Sequence, residues 1–538
     1  MKPLAILFAV VFASTTCACD TRNNAFSMLD ASFTYIPDSP VAGQSVQFTD
    51  TSTGNPTSWQ WAFNDGSASA TQNPGHVFST TGSFAVGLTV ANGSGSDSVI
   101  QVLSVSPNST DAHTAASPSM ADVRSAINAA SPGDTVIVPA GSATWTTEFV
   151  VDKFINLIGA GDTKTFITSN YTTSDYLMYL YPSNPSLDGH MRLSGFNFNF
   201  ANKCAGIHLM VGSGYILHNF RIDHCTLQNG AGNLIGVSGA VYGVADHNTL
   251  IQTQRGPQVS DNHNSMWSWW NTNPEYGTAN NFYYEDNVMT GPELCTNSGG
   301  QGNRYVSRHN TITSTTNNVY WMFDIHGSYD DTLLSTMCTE IYENTINSPG
   351  LSVGSLDQRG SMALFYNNTF SCGNVYMQIR NEYGDNVDTM YAPPTSPNGH
   401  PKRIHDSYYW NNKNNGTLIY PNIPSQSEPA GGTAYYGSSI GWVPYPDKSF
   451  WFQNPNFDGT TNLSRTFYNE NIGTVKVAGM GVGLRAARPA SCSVEGAGWW
   501  ATDESKLYRW HNGAWELFYT PYTYPHPLQT LLSGSINK

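Results

Sequence analysis

Apolar and polar residues alternate along residues 221–412, and the alternation returns in one short phrase. The copies read IDHCTL at 222–227, VADHNTL at 244–250, YYEDNVMT at 283–290, YVSRHNTIT at 305–313, IYENTIN at 341–347, LFYNNTF at 364–370 and SYYWNN at 407–412. Most copies pass through Asn or Asp-His to a β-branched or apolar residue. This pattern predicts a half-buried strand that ends in a turn. We therefore expect one strand and one turn from each copy.

The spacing of the asparagines in these copies predicts a solenoid. Asn248, Asn287, Asn310, Asn344 and Asn368 are separated by 39, 23, 34 and 24 residues, which indicates a base period of about 23 with insertions. Leucine-rich repeats have a similar period, but their regularly placed Leu is missing. Strands with polar turns and a stacked Asn favour a right-handed parallel β-helix, in which each Asn bonds to the coils above and below. We interpret these residues as structural and not catalytic.

Residues 23–106 have the features of a separate β-sandwich. Alternating runs such as SVQFTDTS (45–52) and FAVGLTVAN (84–92) lie between turn-rich segments. The phrase WQWAFNDG (59–66) closely resembles the W-D-F-G-D-G of PKD domains, which are small immunoglobulin-like sandwiches. Asn64 replaces the family's Gly, and Asn enters left-handed backbone more readily than most residues. The resemblance implies a spacer or adhesion unit, with carbohydrate binding through Trp59 as the alternative.

A polar linker at 107–117 leads to the predicted β-helix at 118–423. Ser119 and Asp122 have capping-box spacing before a short amphipathic helix, and the strands TVIVPAG (135–141) and FINLIGAG (154–161) follow. This passage resembles the entry of pectate-lyase-like right-handed β-helix proteins. Residues 424–538 lose the repeat, and we interpret them as a C-terminal cap that lies back over the coils. The cap contains a predicted hairpin with its turn at His511-Asn512-Gly513.

Composition narrows the class of partner. Charged residues make up 12% of the 538 residues, aromatic residues another 12%, and the net charge is −15. This balance suits an extracellular β-protein with sugar-facing surfaces, and the lack of basic patches argues against nucleic acid. An anionic substrate would need a local cationic cleft on this acidic chain. We expect a monomer whose partner is a polysaccharide.

The start of the chain, from Met1 to Cys19, has the features of an export signal. Lys2 precedes an apolar core at 4–13 and small residues at 14–20. Cys17 and Cys19 resemble a bacterial lipoprotein cleavage box. Membrane attachment through a lipidated Cys19 and simple cleavage are therefore both open. We predict an exported protein, extracellular or at the cell surface.

An exported location permits disulfides among the six cysteines that follow the signal. Cys204 and Cys225 are separated in sequence by about one coil period, and we expect them to stack on adjacent coils.

Candidate substrate-binding residues fall in two long insertions, 252–281 and 373–406, because inserted loops build clefts on the flank of a β-helix. Aromatic rings pack against the faces of sugar rings, and polar groups orient the sugar. An equally good interpretation is that the Trp residues are buried and anchor the loop. The predicted set is Arg255, His263, Trp267, Trp269, Trp270 and Glu382.

Four residues form the predicted catalytic cluster: Asp324, His326, Arg359 and Arg380. Asp324 and His326 are two positions apart, so a strand projects both from one face. The carboxylate can then fix the imidazole tautomer. Arg359 and Arg380 follow one or two coils later, so stacking can bring them to the same place.

Two enzyme mechanisms fit these residues. In β-elimination of a uronate polysaccharide, which we rank first, Arg359 and Arg380 act as neutraliser of the carboxylate and base for the C5 proton, with His326 as the alternate base. Ca²⁺ could share the neutralising role. In glycoside hydrolysis, two carboxylates flank the bond, with Asp223, Asp246, Asp324, Asp330 and Asp331 as candidates. A third alternative is a non-catalytic glycan-binding or adhesion protein.

Overall fold

The structure is a computed structural model that describes most of the chain from residue 29 to residue 531. The described residues are 29–36, 40–80, 82–93, 95–105, 111–185, 189–212, 215–253, 259–262, 275–291, 298–299, 304–316, 321–325, 338–360, 362–379, 404–422, 447, 450–466 and 474–531. The predicted export signal and Cys19 lie outside them. Among the described residues, none of the helices has the length and apolarity needed to cross a membrane.

The chain divides into two compact units. The first holds residues up to 35, 47–76 and 84–103, and the second holds 36–46, 77–83 and everything from 104 onward. The first unit carries most of the predicted sandwich, and the second carries the predicted β-helix.

The sandwich consists of two sheets around an aromatic core. Trp61 is fully buried, with the rings of Phe33 and Phe48 at centroid distances of 5.0 and 5.4 Å. Asn64 has a left-handed φ of 59°, as its place in the turn predicts. Trp59 is not the core residue: it is half-buried, and its indole N–H donates to Asp50 at 2.7 Å. The strands are Phe33–Ile36, Ser45–Asp50 and Gly75–Val77 in one sheet, and Ala68–Ser69, Ser58–Ala62, Gly82–Asn92 and Gly95–Val105 in the other.

The second unit is a right-handed parallel β-helix with three sheets, as the repeat predicts. Sheet one contains Ala112–Thr114, Thr135–Val138, Asn156–Gly159, Met191–Ser194, Ile216–Asp223, Ala240–Asp246, Phe282–Glu285, Arg304–Arg308, Cys338–Tyr342, Met362–Tyr366, Ser407–Trp410 and Phe450–Phe452. Sheet two contains Gly141–Trp145, Thr165–Ser169, Asn197–Asn199, Thr226–Gln228, Thr249–Ile251, Val288–Gly291, Thr311–Ser314, Thr345–Gln358, Thr369–Ile379, Lys413–Asn414 and Thr417–Leu418.

Sheet three forms the remaining face of the coil. Its strands are Phe149–Val151, Tyr176–Leu180, Ala205–Met210, Ile235–Ser238 and Val259–Asn262, followed by Ser298–Gly299 and Phe323–Ile325. The long strand Thr345–Gln358 pairs through its first residues with sheet two and through its last residues with Phe323–Ile325. It therefore crosses from one face to the next without a break.

Identical inward positions stack from coil to coil and build the core. In sheet two, one column of fully or almost fully buried side chains runs parallel to the axis: Leu227, Leu250, Met289, Ile312, Ile346 and Phe370. Burial of one such side chain stabilises the fold by about 1.5–3 kcal/mol. The apolar positions of the repeated phrase are thus the continuous core of the solenoid.

The predicted asparagine ladder is confirmed. The side-chain oxygen of each Asn accepts bonds from the backbone N–H and side-chain N–H of the preceding rung, at 2.8–3.1 Å. The ladder comprises Asn248, Asn287, Asn310, Asn344, Asn368 and Asn412. Cys225 occupies the position before Asn248 and donates its backbone N–H to Asn248 at 3.0 Å. These residues satisfy the turn between sheets one and two, so their role is structural.

The N-terminal end of the coil is covered as the capping box predicts. Helix Met120–Ala129 begins after Ser119, whose side chain accepts the backbone N–H of Asp122 at 3.2 Å. Val123 and Ile127 are fully buried against the first coils. The helix thereby closes the open end of the stack.

The C-terminal residues form a cap on the outer face of sheet one. The predicted hairpin is present as Lys506–His511 and Ala514–Tyr519, with left-handed φ values of 50° and 80° at Asn512 and Gly513. The remaining elements are strands Leu463–Thr466, Thr474–Val477, Gly481–Gly483 and Gly498–Ala501, the 3₁₀ helix Arg485–Ala487 and helix Pro527–Leu531.

Five cysteines in the described part of the chain are free thiols: Cys204, Cys225, Cys338, Cys372 and Cys492. The expected stacking of Cys204 on Cys225 is wrong. Cys225 lies in the turn after sheet one, whereas Cys204 comes just before the sheet-three strand Ala205–Met210. The coil at this point is longer than the stretch of chain that separates the two cysteines, so their thiols lie at different corners.

Candidate active site

The structure brings two of the predicted catalytic residues together. Asp324 and Arg359 form a bidentate ion pair, with guanidinium-to-carboxylate distances of 2.6, 2.7 and 2.9 Å. The other predicted site residues lie outside the described residues: His326, Arg380, Arg255, His263, Trp267, Trp269, Trp270 and Glu382. Their convergence on the ion pair stays a prediction.

A second carboxylate that sequence reasoning missed lies beside Asp324. Asp357 is the direct register partner of Asp324 on the next coil. Neighbouring strands lie about 4.8 Å apart, so the two aspartates stand side by side on sheet three. Arg359 also approaches Asp357, with Nε 3.5 Å from its carboxylate. One arginine therefore contacts a pair of stacked acids.

Alternation along the strands fixes both acids on the outer surface of the coil. The flanking residues Phe323, Ile325 and Leu356 are fully buried in the core, so Asp324 and Asp357 project to the opposite side. Asp324 keeps 13% of its side chain exposed and Asp357 only 1%. Asp324 is thus the more accessible acid of the pair.

The core side of the same coil holds the strand rigidly. Gln358 points inward, where its amide donates to Ser407 at 3.0 Å and its carbonyl accepts a short bond from the Tyr409 hydroxyl. The backbone N–H of Arg359 donates to the carbonyl of Ile325 at 2.9 Å. These bonds limit movement of the strand that carries Asp357 and Arg359.

Asp223 and Asp246, two further carboxylates considered for hydrolysis, are buried beside Arg221. Arg221 is 3% exposed and pairs bidentately with Asp246 at 2.8 Å. It also donates to the carbonyl of Leu528 at 3.0 Å. Asp223 and Asp246 are fully buried, and the Arg192 pair holds the pKa of Asp223 well below its usual value despite burial. Asp246 thus holds the arginine that contacts the C-terminal cap, and Asp223 is held by Arg192. Full burial makes both carboxylates unsuited to hydrolysis, whereas Asp330 and Asp331 lie outside the described residues.

A signal for Asp357 was present in the sequence. The strands that carry the two acids read FDI at 323–325 and LDQ at 356–358, with an apolar residue before each Asp. Aligning these short phrases, and not only the asparagine copies, would have paired the acids. The expectation of Ca²⁺ stays a prediction: the described residues contain no group of three or more His, Cys, Asp or Glu side chains that could hold a metal ion.

Comparison with known proteins identifies the N-terminal module. Residues 33–106 match the family model described as "PKD domain", so this part of the chain is a PKD domain, as the WQWAFNDG phrase predicts. The PKD1 domain from the Vibrio cholerae metalloprotease PrtV is 33% identical over 14% of this chain and 93% of that domain, with a TM-score of 0.13. No curated protein matches the chain.

Two of the solved structures that are similar to this chain each cover more than two thirds of it. One is the family 28 exopolygalacturonase of Yersinia enterocolitica, with 9% identity over 79% of this chain and 90% of that one and a TM-score of 0.35. The other is the catalytic unit of a GH87 α-1,3-glucanase from Streptomyces thermodiastaticus, with 14% identity over 73% and 86% and a TM-score of 0.34. At this identity and TM-score, neither likeness carries a catalytic residue over to this chain.

Proposed function

We propose that this chain is a polysaccharide-degrading enzyme and that Asp324 and Asp357 are its catalytic carboxylates, acting as a glycoside hydrolase. The observation that carries the proposal is their register: two acids on successive coils, both on the outer face of sheet three, with one arginine between them. A pair of carboxyl groups is the minimum that glycosidic hydrolysis needs, one as acid and one as base or nucleophile.

The arginine geometry favours hydrolysis over β-elimination, the mechanism that we ranked first from the sequence. A base must be able to lose a proton, but the guanidinium of Arg359 is held by Asp324 through bonds as short as 2.6 Å, and ion pairing favours its charged form. A substrate uronate would also have to compete with two carboxylates for the same donors. Lyase chemistry therefore remains the alternative and would use the other predicted residues, with Arg380 as neutraliser and His326 as base.

Arg359 supports unequal roles for the two acids. It binds Asp324 through two nitrogens and lies 3.5 Å from Asp357, so the two carboxyl groups experience different fields. The two acids also differ in exposure, 13% for Asp324 and 1% for Asp357, and paired catalytic acids take different roles from different environments. The proposed role of Arg359 is positioning and electrostatic.

Export is part of the same proposal. The pattern from Met1 to Cys19 supports export, because a signal of this kind delivers a protein out of the cell, where polysaccharide substrates are found. Lipidation at Cys19 remains the alternative to cleavage.

The test is a polysaccharide screen with the full-length chain and two single variants, Asp324→Asn and Asp357→Asn. Neutral polymers and polygalacturonate are digested, and both reducing ends and absorbance near ~235 nm, where unsaturated uronyl products absorb, are measured. We expect reducing ends without absorbance, and a loss of at least about 100-fold in either variant. Asp503→Asn, an exposed residue of the cap, is the control and should retain activity.

Three results would contradict the proposal. Product absorbance that survives both variants would establish a lyase whose base lies elsewhere. Saturable retention of glycan with no product would establish a binding protein. Activity that persists in Asp324→Asn and Asp357→Asn would remove these residues from catalysis. A parallel digest with a calcium chelator tests the metal expectation.

A further inference from the structure

A cavity of about 360 Å³ lies between the turns of the coil and the C-terminal cap. We call it the turn-side cavity. It belongs to the corner between sheets one and two, whereas Asp324 and Asp357 are on sheet three. Its volume falls within the range of small-molecule binding sites.

One wall consists of stacked turn residues, each the residue just before a ladder Asn. His309, Glu343, Asn367 and Asn411 have left-handed φ values of 57°, 57°, 53° and 54°. Their side chains form a polar row: Asn411 donates to Asn367 at 2.8 Å, Asn367 donates to Glu343 at 3.3 Å, and Glu343 lies 3.1 Å from His309. Repetition of the coil spaces these groups by about 4.8 Å.

The other surfaces are largely aromatic. Tyr342 and Tyr366 stack with a centroid distance of 4.6 Å at an interplanar angle of 8°, and Trp500 of the cap lies 5.3 Å from Tyr366. These three rings are almost fully buried and close the floor of the cavity, so the exposed ring is that of Tyr524. Tyr524 stacks on His309 at 3.7 Å and remains 47% exposed. A ring face beside a row of amide and carboxylate groups is suited to a pyranose, whose C–H face is apolar and whose rim carries hydroxyls.

The charges around the cavity favour a neutral sugar over an anionic one. Glu343, 43% exposed, is the only acidic side chain among the lining residues, and these described residues include no Lys or Arg. The neighbouring Arg308 is buried and paired with Glu285 at 2.6 Å. Burial also lowers the pKa of His309, so it supplies no fixed positive charge at neutral pH. A uronate carboxylate would therefore meet Glu343 without a counter-charge.

We infer that the turn-side cavity is a second glycan-binding site that takes a neutral pyranose unit, with Tyr524 as its exposed stacking ring and Glu343, Asn367 and Asn411 as hydroxyl partners. The inference does not require Asp324 and Asp357 to be catalytic. A site on another corner of the coil would hold a polymer on the protein while a different segment occupies sheet three.

Affinity electrophoresis of the full-length chain tests the inference. Gels contain galactomannan, xyloglucan or β-1,3-glucan as neutral probes and polygalacturonate as the anionic probe. Each gel carries the parent chain and the Asp357→Asn variant side by side, so the result does not depend on whether Asp357 is catalytic. We expect at least one neutral polymer to retard the chain and polygalacturonate to have no effect through this site. Tyr524→Ala removes the ring and Thr502→Trp fills the mouth of the cavity, and each should weaken retardation at least about tenfold in affinity.

Two control variants separate binding from folding. Tyr215→Ala removes a tyrosine of similar exposure, 44%, that does not line the cavity, and it should bind like the parent. Tyr524→Phe keeps the ring and loses only the hydroxyl bond to Asp286 at 2.8 Å, so binding should persist if the ring face holds the sugar. Three results would overturn the inference. The first is no retardation by any neutral polymer, and the second is retardation that is unchanged by Tyr524→Ala and Thr502→Trp. The third is binding of polygalacturonate that is lost in those two variants.

Discussion

The asparagine ladder gives the sharpest test of how this coil is held together, and Asn310→Ala is the substitution to make. Asn310 is fully buried in the middle of the ladder. Its oxygen accepts two N–H groups of Asn287 at 3.0 Å each, and its amide donates to Asn344 at 2.9 Å and to the carbonyl of Tyr284 at 2.9 Å. A fifth bond joins its amide to the Ser307 hydroxyl at 3.2 Å, and alanine removes all five.

The cost follows from the groups left behind. Both N–H groups of Asn287 and the carbonyl of Tyr284 become buried polar groups without this partner, while Asn344 still accepts the backbone N–H of residue 310 at 3.1 Å. Each buried polar group left without a hydrogen bond costs about 1–3 kcal/mol. Some of these three groups, the two N–H groups and the carbonyl, can find a weaker partner. We therefore expect the free energy of unfolding to fall by roughly 3–6 kcal/mol.

Urea unfolding, followed by tryptophan fluorescence and far-UV circular dichroism together, measures this change. Two probes are needed because a solenoid can unfold in steps. Asn347→Ala is the matched control: this exposed Asn lies on the same coil as Asn344 and should change stability by less than about 0.5 kcal/mol. If Asn310→Ala costs no more than Asn347→Ala, the ladder does not stabilise the coil and our interpretation is refuted.

Two further predictions concern the C-terminal cap. Burial raises the pKa of Glu340 to about 7 from its usual 4.5, even though the carboxylate accepts bonds from Gly277 and Tyr519. As the pH rises, the carboxyl of the unfolded chain loses its proton before that of the folded chain. The free energy of unfolding should therefore fall by about 3 kcal/mol between pH 4.5 and 7. Glu340→Gln should abolish that fall in thermal melts across this pH range, whereas the exposed Glu495→Gln should preserve it. Arg308→Met should lower the free energy of unfolding by about 3–5 kcal/mol, because Glu285 is left buried without its counter-ion. It should also expose the segment after Tyr519 to proteases, because the carbonyls of Tyr522 and Thr523 lose their donors at 2.8 Å. Arg485→Met, at a 52% exposed ion pair, should cost less than about 1 kcal/mol, and equal protease resistance in both variants would show that Arg308 does not hold the cap.

Local patterns predicted the elements that depend on near neighbours in sequence. The capping box at Ser119, the hairpin turn at Asn512-Gly513 and the left-handed Asn64 are each decided by a few adjacent residues, and the structure has all three. The ladder was predictable because every coil must satisfy the same turn, so the same residue type returns. Local chemistry and repetition together were sufficient for the fold.

Long-range pairing was not predictable from the same patterns. Arg221 contacts Leu528 across 307 residues, and Tyr519 contacts Glu340 across 179. No local feature of the sequence indicates that the cap covers sheet one. For this reason Asp246, a candidate carboxylate in the sequence, belongs with Arg221 to a buried interface between the coil and the cap.

Position relative to the ladder explains which residues of the site could be assigned. The residue two places before each ladder position is on the outer face of sheet one, as with Asp246, Glu285 and Arg308. The residue one place before is in the left-handed turn, as with His309 and Glu343. This half of every coil has constant length, so its residues can be assigned by counting.

The other half of the coil varies in length, and the candidate active site lies there. Asp324, Asp357 and Gln378 occupy one register row on sheet three, yet the stretch of chain that joins each to its ladder asparagine (Asn310, Asn344 and Asn368 respectively) shortens from one coil to the next. Between the first two coils this stretch differs by one residue. Counting a fixed number of residues from the ladder asparagine would therefore assign an inward-facing residue to the outer face of the strand. The register can be recovered only from the short buried phrases FDI, LDQ and MQI, whose apolar residues must point inward. The insertions that change the length of these loops thus conceal the row that carries Asp324 and Asp357 from a periodicity search.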